Sequence, residues 1–456
     1  MVSEKLDSLR NRAIRAGVWT LAGYTLSYIL RLASNLLLSR LLIPDAFGVI
    51  AIANLVLVGL AMLSDLGLKP SVVQNRRGHE GVFLNTAWLV QIVRGLLLCA
   101  LAVFISLIIG ISRALDLAPH GSVYADPSLP YVIAVLSLTT AIAGFESTRL
   151  LEASRNLQLA RITRLDLASQ IFGFVLMIGW ASVDHSIWAL VAGALATSLS
   201  RMTLSHVWLP GLANRVQWDR SAFVEIVRFG KWLFLSSVLY FIATSGDRVV
   251  LGALVDSRTL GAYAIAFLIY SSIDQVLTKI IVDVSFPALT EIVRSRRHQV
   301  QEAYYRFHFA IASVAYFCAG VLAISGGAII SVLYDQRYQQ AGWILQVLAL
   351  GLLTVPYRIA TQAFLAFNLG KSYFYLQSVR VVTLFVALPV GFAVGGFAGA
   401  VWGVVASYFS SIPLVLIYAR SVGLFRLRSE LRPIPVMLVG LLAGGMVRFA
   451  ATRILH

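Results

Sequence analysis

Residues 241–255, FIATSGDRVVLGALV, set a carboxylate and a guanidinium side by side, Asp247 and Arg248, in an otherwise apolar run. Two chemistries are open to such groups. A carboxylate in a dry setting can take up and release a proton or a cation, because burial disfavours its charge. A guanidinium stays protonated, and its planar fork takes phosphate oxygens two at a time. Neighbours on a helix point about 100° apart, so Asp247 and Arg248 should not face each other well, and each should need its own partner or water. Arg31, Arg94 and Asp274 are equally central in apolar runs.

These charges sit on polar stripes with helical spacing. One stripe is Ser237, Tyr240, Thr244, Asp247 and Arg248; a second is Tyr24, Ser27, Tyr28, Arg31, Ser34 and Asn35; a third runs Tyr263, Tyr270, Asp274, Thr278. A stripe facing lipid would be apolar, so these should face protein or a wet cavity. Arg31, Arg94 and Arg248, with Tyr28 and Tyr240, form the candidate substrate-binding set: arginines for a phosphate, tyrosines for sugar stacking. Packing is the competing role for the aromatics, and a structural ion pair for the charges. Asp274 is the candidate coupling carboxylate and Asp247 the alternative carrier. Other ionisable residues have simpler readings. Asp65 and Glu146 lie near span ends and should be solvated. Lys279 and Asp283 are four apart and should pair. Arg358 and Arg380 should snorkel toward an interface.

The elements that must position these residues are membrane spans. Of 456 residues, 59% are hydrophobic and 13% charged, half the charge of an ordinary soluble domain. Apolar runs of roughly 20 residues, the length needed to cross a bilayer, recur throughout. Spans are expected at 17–41, 48–69, 83–110, 129–150, 165–182, 187–209, 230–255, 259–288, 307–333, 340–365, 373–394 and 397–419. A further apolar segment, 434–454, should span or lie at the interface. The fold class is therefore an all-α polytopic membrane protein, and the runs are too long and continuous for a β-barrel.

The net charge of +16 reads as basic loops rather than nucleic-acid binding. Connections of one set carry 25 Lys and Arg, and the alternate set only Arg40, Arg113, Arg258 and Arg337. The asymmetry orients the N-terminus to the cytoplasm. No cleavable signal peptide is expected at the N-terminus. Cys99 and Cys318 fall in apolar runs and read as packing residues, with no disulfide framework. The histidines have no metal-ligand spacing, and GxxxxGK[ST], CxxC, HExxH and GxSxG are absent. No metal, cofactor or catalytic residue is expected.

Residues 17–55 align without a gap on 230–268, pairing Gly17 with Gly230, Trp19 with Trp232 and Gly48 with Gly261. The repeat is six spans long, an even number, so the halves should be parallel lobes. The expected division is 1–210, 211–420 and a basic linker with an apolar segment at 421–456.

The segments RLLIPDAFGVIAIANLVLVGLAMLSDLGL, GDRVVLGALVDSRTLGAYAIAF and LEASRNLQLARITRLD resemble the polysaccharide transporter family. These are the Wzx-type lipid-linked oligosaccharide flippases of the MOP exporter superfamily. The resemblance implies two six-helix lobes in a V-shaped bundle. It also implies flipping of polyprenyl-pyrophosphate-linked oligosaccharide across the bacterial inner membrane, driven by an ion gradient, for cell-surface polysaccharide such as lipopolysaccharide or exopolysaccharide. Its partners would be the lipid-linked substrate, the bilayer, and the polymerase and chain-length proteins of an assembly system, not nucleic acid. Two other readings stay open: a cation-coupled drug exporter of the same superfamily, and a membrane-embedded polymerase or glycosyltransferase. The central arginines favour an anionic substrate over a drug cation, and the external loop 111–128 offers a polymerase few acids or arginines.

Overall fold

Helix is forced on these segments by their surroundings, because a backbone in hydrocarbon must satisfy its own amides and carbonyls. The computed structural model describes residues 22–455 apart from Tyr24, 65–67, 69–70, 73–74, Arg76, Leu157, Arg296 and Asn368. Tyr24 and Asp65, and Gly17 and Trp19 of the repeat, therefore lie outside the described residues. Among the described residues there is no β-strand.

The helices are α1 (residues 25–41), α2 (Pro44–Leu63), α3 (Gly81–Ala114), α4 (Leu129–Leu136), α5 (Leu138–Gly144), α6 (Arg149–Arg155), α7 (Leu159–Ala181) and α8 (Trp188–Val207). They continue with α9 (Arg220–Leu254), α10 (Ser257–Ile280), α11 (Phe286–Ser295), α12 (Val300–Leu333), α13 (Gln340–Ala349) and α14 (Tyr357–Ala366). The last are α15 (Gly370–Phe409), α16 (Ile412–Ser421), α17 (Leu427–Leu431) and α18 (Ile434–Leu455). Each of the twelve expected spans coincides largely with helix over its described residues, the first two being described only in part, and 434–454 coincides with α18. Eight helical stretches among the described residues are long and apolar enough to cross a membrane, nine with the pair Leu129–Gly144 and Arg149–Arg155, bent by 63°. The chain is a multi-pass membrane protein.

Starts and breaks have local causes. Pro44 opens α2, where its missing N–H is not needed. Asp256 caps α10, its side chain accepting from the Thr259 amide. A π-helical turn, Ile281–Ser285, separates α10 from α11, so the expected span 259–288 is not one uniform helix. Helix α15 doubles back at Gly395 and Gly396. Gly396 has φ 58° and ψ −147°, a conformation essentially reserved to glycine. Beyond that bend the two limbs lie backbone to backbone. A Cβ on Gly391 would sit 2.2 Å from the Gly399 carbonyl oxygen, and one on Gly403 2.3 Å from that of Ala387.

The chain divides into two compact units, Met1–Phe241 and Ile242–His456, with the boundary inside α9. In the first unit, Leu68, Val72, Phe83, Leu84, Ala87 and Val90 form a buried cluster with Ala222 and Ile226 of α9. In the second, α18 packs along α12 so closely that a Cβ on Gly320 would meet the Met437 carbonyl oxygen at 2.6 Å. A Cβ on Gly440 would meet that of Phe317 at 2.4 Å, and one on Gly444 that of Val321 at 2.7 Å.

Candidate functional site

The second unit carries a polar and aromatic seam built on one face of α10. Tyr263, Phe267, Tyr270, Asp274 and Thr278 recur at three- and four-residue spacing and so share a face. At one end lies the pair that opened the sequence reading. The Asp247 carboxylate is buried and accepts a 2.6 Å hydrogen bond from the Tyr263 hydroxyl. Arg248 curls back along its own helix. Its Nη2 donates to the Thr244 carbonyl oxygen at 2.8 Å and to Ser245 Oγ at 3.2 Å, and its Nε lies 3.6 Å from Asp247 Oδ1. The two neighbours thus reach each other at the edge of ion-pair distance, which the sequence reading did not expect. The side-chain length of arginine allows it. The guanidinium also lies 4.4 Å over the Phe267 ring, a cation–π contact.

From there the rings continue without a gap. Phe267 stacks on Tyr263 at 6.0 Å and tilts against Tyr270 at 5.9 Å. Tyr270 stacks on Tyr408 of α15 at 6.0 Å, and Arg380 lies 4.7 Å over the Tyr408 ring. At the other end, Arg358 of α14 holds Asp274 by both carboxylate oxygens, Nη1 to Oδ2 at 3.0 Å and Nη2 to Oδ1 at 2.7 Å. Its Nη1 also donates to Thr278 Oγ1. Arg358 therefore does not snorkel to an interface. It is half-buried and neutralised by a specific carboxylate, because the π-turn and the α14 start bring its helix against the Asp274 face.

The sign of the seam follows from these pairs. Arg248, Arg358 and Arg380 stand against Asp247 and Asp274, leaving one positive charge in excess. Arg380 carries it. Among the described residues no carboxylate lies within ion-pair distance of it, and its buried Nε has no hydrogen-bond partner. The sequence reading expected Arg380 to snorkel to an interface; its Nε is instead buried and its guanidinium lies over the Tyr408 ring, a contact that the apolar α15 sequence gives no sign of.

In the first unit, Arg31 is exposed on α1 and Tyr28 is half-buried one turn before it. Tyr240, at the end of this unit, is 52% exposed. Arg94 ties α3 to α2, with Nη2 donating to the Ala61 carbonyl oxygen at 2.6 Å and Nε to Ser64 Oγ at 3.1 Å. Glu146 is not simply solvated: Arg201 of α8 grips its carboxylate and also donates to Asp166 Oδ1 at 2.8 Å. Lys279 and Asp283 pair at 2.8 Å as the spacing requires. The structure thus brings Asp247, Arg248 and Asp274 onto one seam, while Arg31, Tyr28, Tyr240 and Arg94 belong to the other unit. Among the described residues no three His, Cys, Asp or Glu side chains converge as metal ligands.

A polar network closes one end of the first unit. Arg77 donates to Asp219 Oδ2 at 2.9 Å, Glu80 Oε2 at 3.0 Å, Ser221 Oγ at 2.9 Å and Glu225 Oε1 at 3.2 Å. Asn85 Nδ2 donates to Gln217 Oε1 at 3.0 Å and Asn214 Nδ2 to Thr148 Oγ1 at 2.6 Å. These bonds strap residues 208–219 down. The hydrogen bond from Arg77, then those from Ser221, draw the Asp219 carboxyl down to about 2.

Residues 37–342, about two-thirds of the chain, match the family described as "Polysaccharide biosynthesis protein". The lipopolysaccharide biosynthesis protein WzxC of Escherichia coli (strain K12) is 22% identical over 90% of this chain and 82% of its own length. The putative O-antigen transporter of Shigella flexneri is 25% identical over 79% of this chain and 85% of its own. Among solved structures, the lipid II flippase MurJ in an inward closed conformation has the same fold. Its TM-score is 0.69 at 14% identity, covering 97% of this chain and 98% of that one.

Proposed function

The chain belongs to the polysaccharide biosynthesis protein family, and from that premise we propose that it is a flippase for a polyprenyl-pyrophosphate-linked oligosaccharide. It moves this lipid from the cytoplasmic to the outer leaflet of the bacterial inner membrane by alternating access, with its N-terminus in the cytoplasm. The lobes at 1–210 and 211–420 and the appended segment 421–456 are its working parts. Two of the relatives above bear names in accord with this reading, one a putative O-antigen transporter and the other a lipid II flippase.

The observation that carries the reading is the positive excess of the seam. A pyrophosphate crossing a low-dielectric region needs fixed compensation, and arginine supplies it with two parallel hydrogen bonds per phosphate. Arg248 and Arg380 are the groups with capacity to spare: one only grazes its carboxylate, the other has none among the described residues. Arg31, exposed on α1, serves the first unit, and Arg94 supports it by holding α3 to α2. Tyr28 and Tyr240 offer ring faces to the sugars. The same excess argues against a drug cation, which would want acidic walls. Asp274 is the carrier of the coupling ion, released from Arg358 in one state and bound to it in the other, with Asp247 the alternative.

The test is made on lipid-linked glycans. Deleting the gene should leave completed, unpolymerised units on the cytoplasmic leaflet. Arg248→Ala should keep near-normal protein levels but stop flipping, and Arg248→Lys should restore it in part, because lysine keeps the charge and loses the fork. Accumulation on the outer leaflet instead would assign the chain to polymerisation. Loss of Arg248→Ala from the membrane, with rescue by neutralising Asp247, would make Arg248 structural.

A further inference from the structure

We propose that His308 and Glu430 form a second proton-binding site of this transporter, beside the carrier Asp274, and that helix α14 links it to the Asp274–Arg358 pair. The proposal rests on the flippase reading and names its coupling ion as the proton.

His308, on α12, is fully buried, and Glu430, on α17, is 7% exposed. His308 Nε2 lies 3.4 Å from Glu430 Oε2. Yet His308 Nδ1, His308 Nε2 and Glu430 Oε2 all lack a hydrogen-bond partner. Three orphaned polar atoms in one buried place are unusual, since buried polar groups are almost always satisfied. The other intramembrane carboxylates described above are not in this condition. Asp274 is held by both oxygens and Asp247 by a tyrosine hydroxyl. At His308 both ring nitrogens stay unused although a Glu430 carboxylate oxygen lies within ion-pair distance of one of them.

The surroundings leave a proton as the natural occupant. From α12, Tyr304 and Tyr305 face the imidazole with ring centroids at 5.7 and 5.9 Å, and from α14 Tyr357 faces it at 5.7 Å. The Tyr305 hydroxyl donates to Glu430 Oε1 at 2.9 Å and accepts from the Arg426 amide at 2.7 Å. Tyr357 is hydrogen-bonded to Tyr316 and to the Glu430 carboxylate. The nearby cation, Arg432, is spent over the Phe309 ring at 4.8 Å. No arginine or lysine pairs with Glu430 among the described residues. With a neutral imidazole the site carries one negative charge. Uptake of one proton on Nε2 turns it into an imidazolium–carboxylate pair joined by an N–H···O bond, with no net charge. That bond would also clamp α17, and with it the start of α18, onto α12.

The link to the seam is covalent. Tyr357 and Arg358 are consecutive residues of α14, one facing His308 and the other holding Asp274. A rearrangement around the imidazole therefore acts on the arginine that restrains the carboxylate.

The full chain, labelled with nitrogen-15 histidine and reconstituted in vesicles of phosphatidylethanolamine and phosphatidylglycerol, provides the test. One buried histidine should titrate by solid-state NMR, its signal should vanish in His308→Gln, and its midpoint should fall by about one pH unit or more in Glu430→Gln. Flipping of a fluorescent lipid-linked glycan should speed up under an imposed proton gradient in the unaltered protein and become gradient-independent in both variants. If either variant fails to accumulate, the titration of the unaltered protein and of Tyr357→Phe decides: a midpoint moved by loss of that hydroxyl supports the site. A histidine that does not titrate, a midpoint untouched by Glu430→Gln, or acceleration by sodium in place of protons would overturn it. A titrating pair in a protein that moves no lipid-linked glycan would keep the proton site and sink the flippase reading instead.

Discussion

Asp274 engages Arg358 through both carboxylate oxygens, and that geometry sets what neutralising it should do. Asp274→Asn leaves a half-buried guanidinium without its counter-charge, which should cost about 3 kcal/mol of stability. A fall in membrane level or in thermal midpoint should follow, and Asp274→Asn with Arg358→Gln should recover most of it while transport stays lost. Recovery of transport by the double variant would show that the pair is structural and not the carrier. The cost of these charges was plain in the sequence, because an ionisable residue in an apolar run must be compensated. Their partners were not. Arg358 and Asp274 are 84 residues apart, and nothing in either apolar segment says which helix faces meet. The partner of Arg380 was hidden for the same reason, being a ring on the far limb of α15. The contact of Arg248 with Asp247 escaped because helix geometry fixes where Cβ points and leaves the end of a long side chain free.

At the level of elements, periodicity and length gave the helices and their order, and the breaks came from particular residues. Gly395 and Gly396 turn α15 where two spans were expected. The π-turn at 281–285 has no comparable signal in IVDVS. The strap 208–219 was also illegible: the polarity of NRVQWDR reads as solvated loop, whereas its Asn214, Gln217 and Asp219 are tied to Thr148, Asn85 and Arg77. Its acid response follows from Asp219, whose carboxyl is lowered from 3.8 to about 2. A carboxyl lowered in the folded state contributes stability above its unfolded value and loses it as the pH falls through the folded one. Hydrogen-exchange protection of 208–219 should thus be constant from neutral pH down to about 4 and fade between about 4 and 2. Asp219→Asn should weaken protection at neutral pH and abolish the acid transition; unchanged protection would mean the strap is held without this pair.

For the whole molecule, the excess of basic residues on one set of loops is an argument about topology that the fold alone does not make. An enzymatic reporter active only outside the cytoplasm should work when fused at Ala118 or Gln336 and stay silent at Gln217 or Arg296. Activity at the second pair would reverse the assigned orientation. The close crossing of α12 and α18 bears on biosynthesis. Gly320 and Gly440 are about 120 residues apart, so at about 5–20 residues per second the ribosome needs about 6–24 s to deliver the second after the first. Throughout that interval the glycine-notched face of α12 waits in the membrane without the helix shaped to cover it. A chain stopped before Ile434 would wait indefinitely, presenting to membrane quality-control proteases a seam that the finished protein never shows.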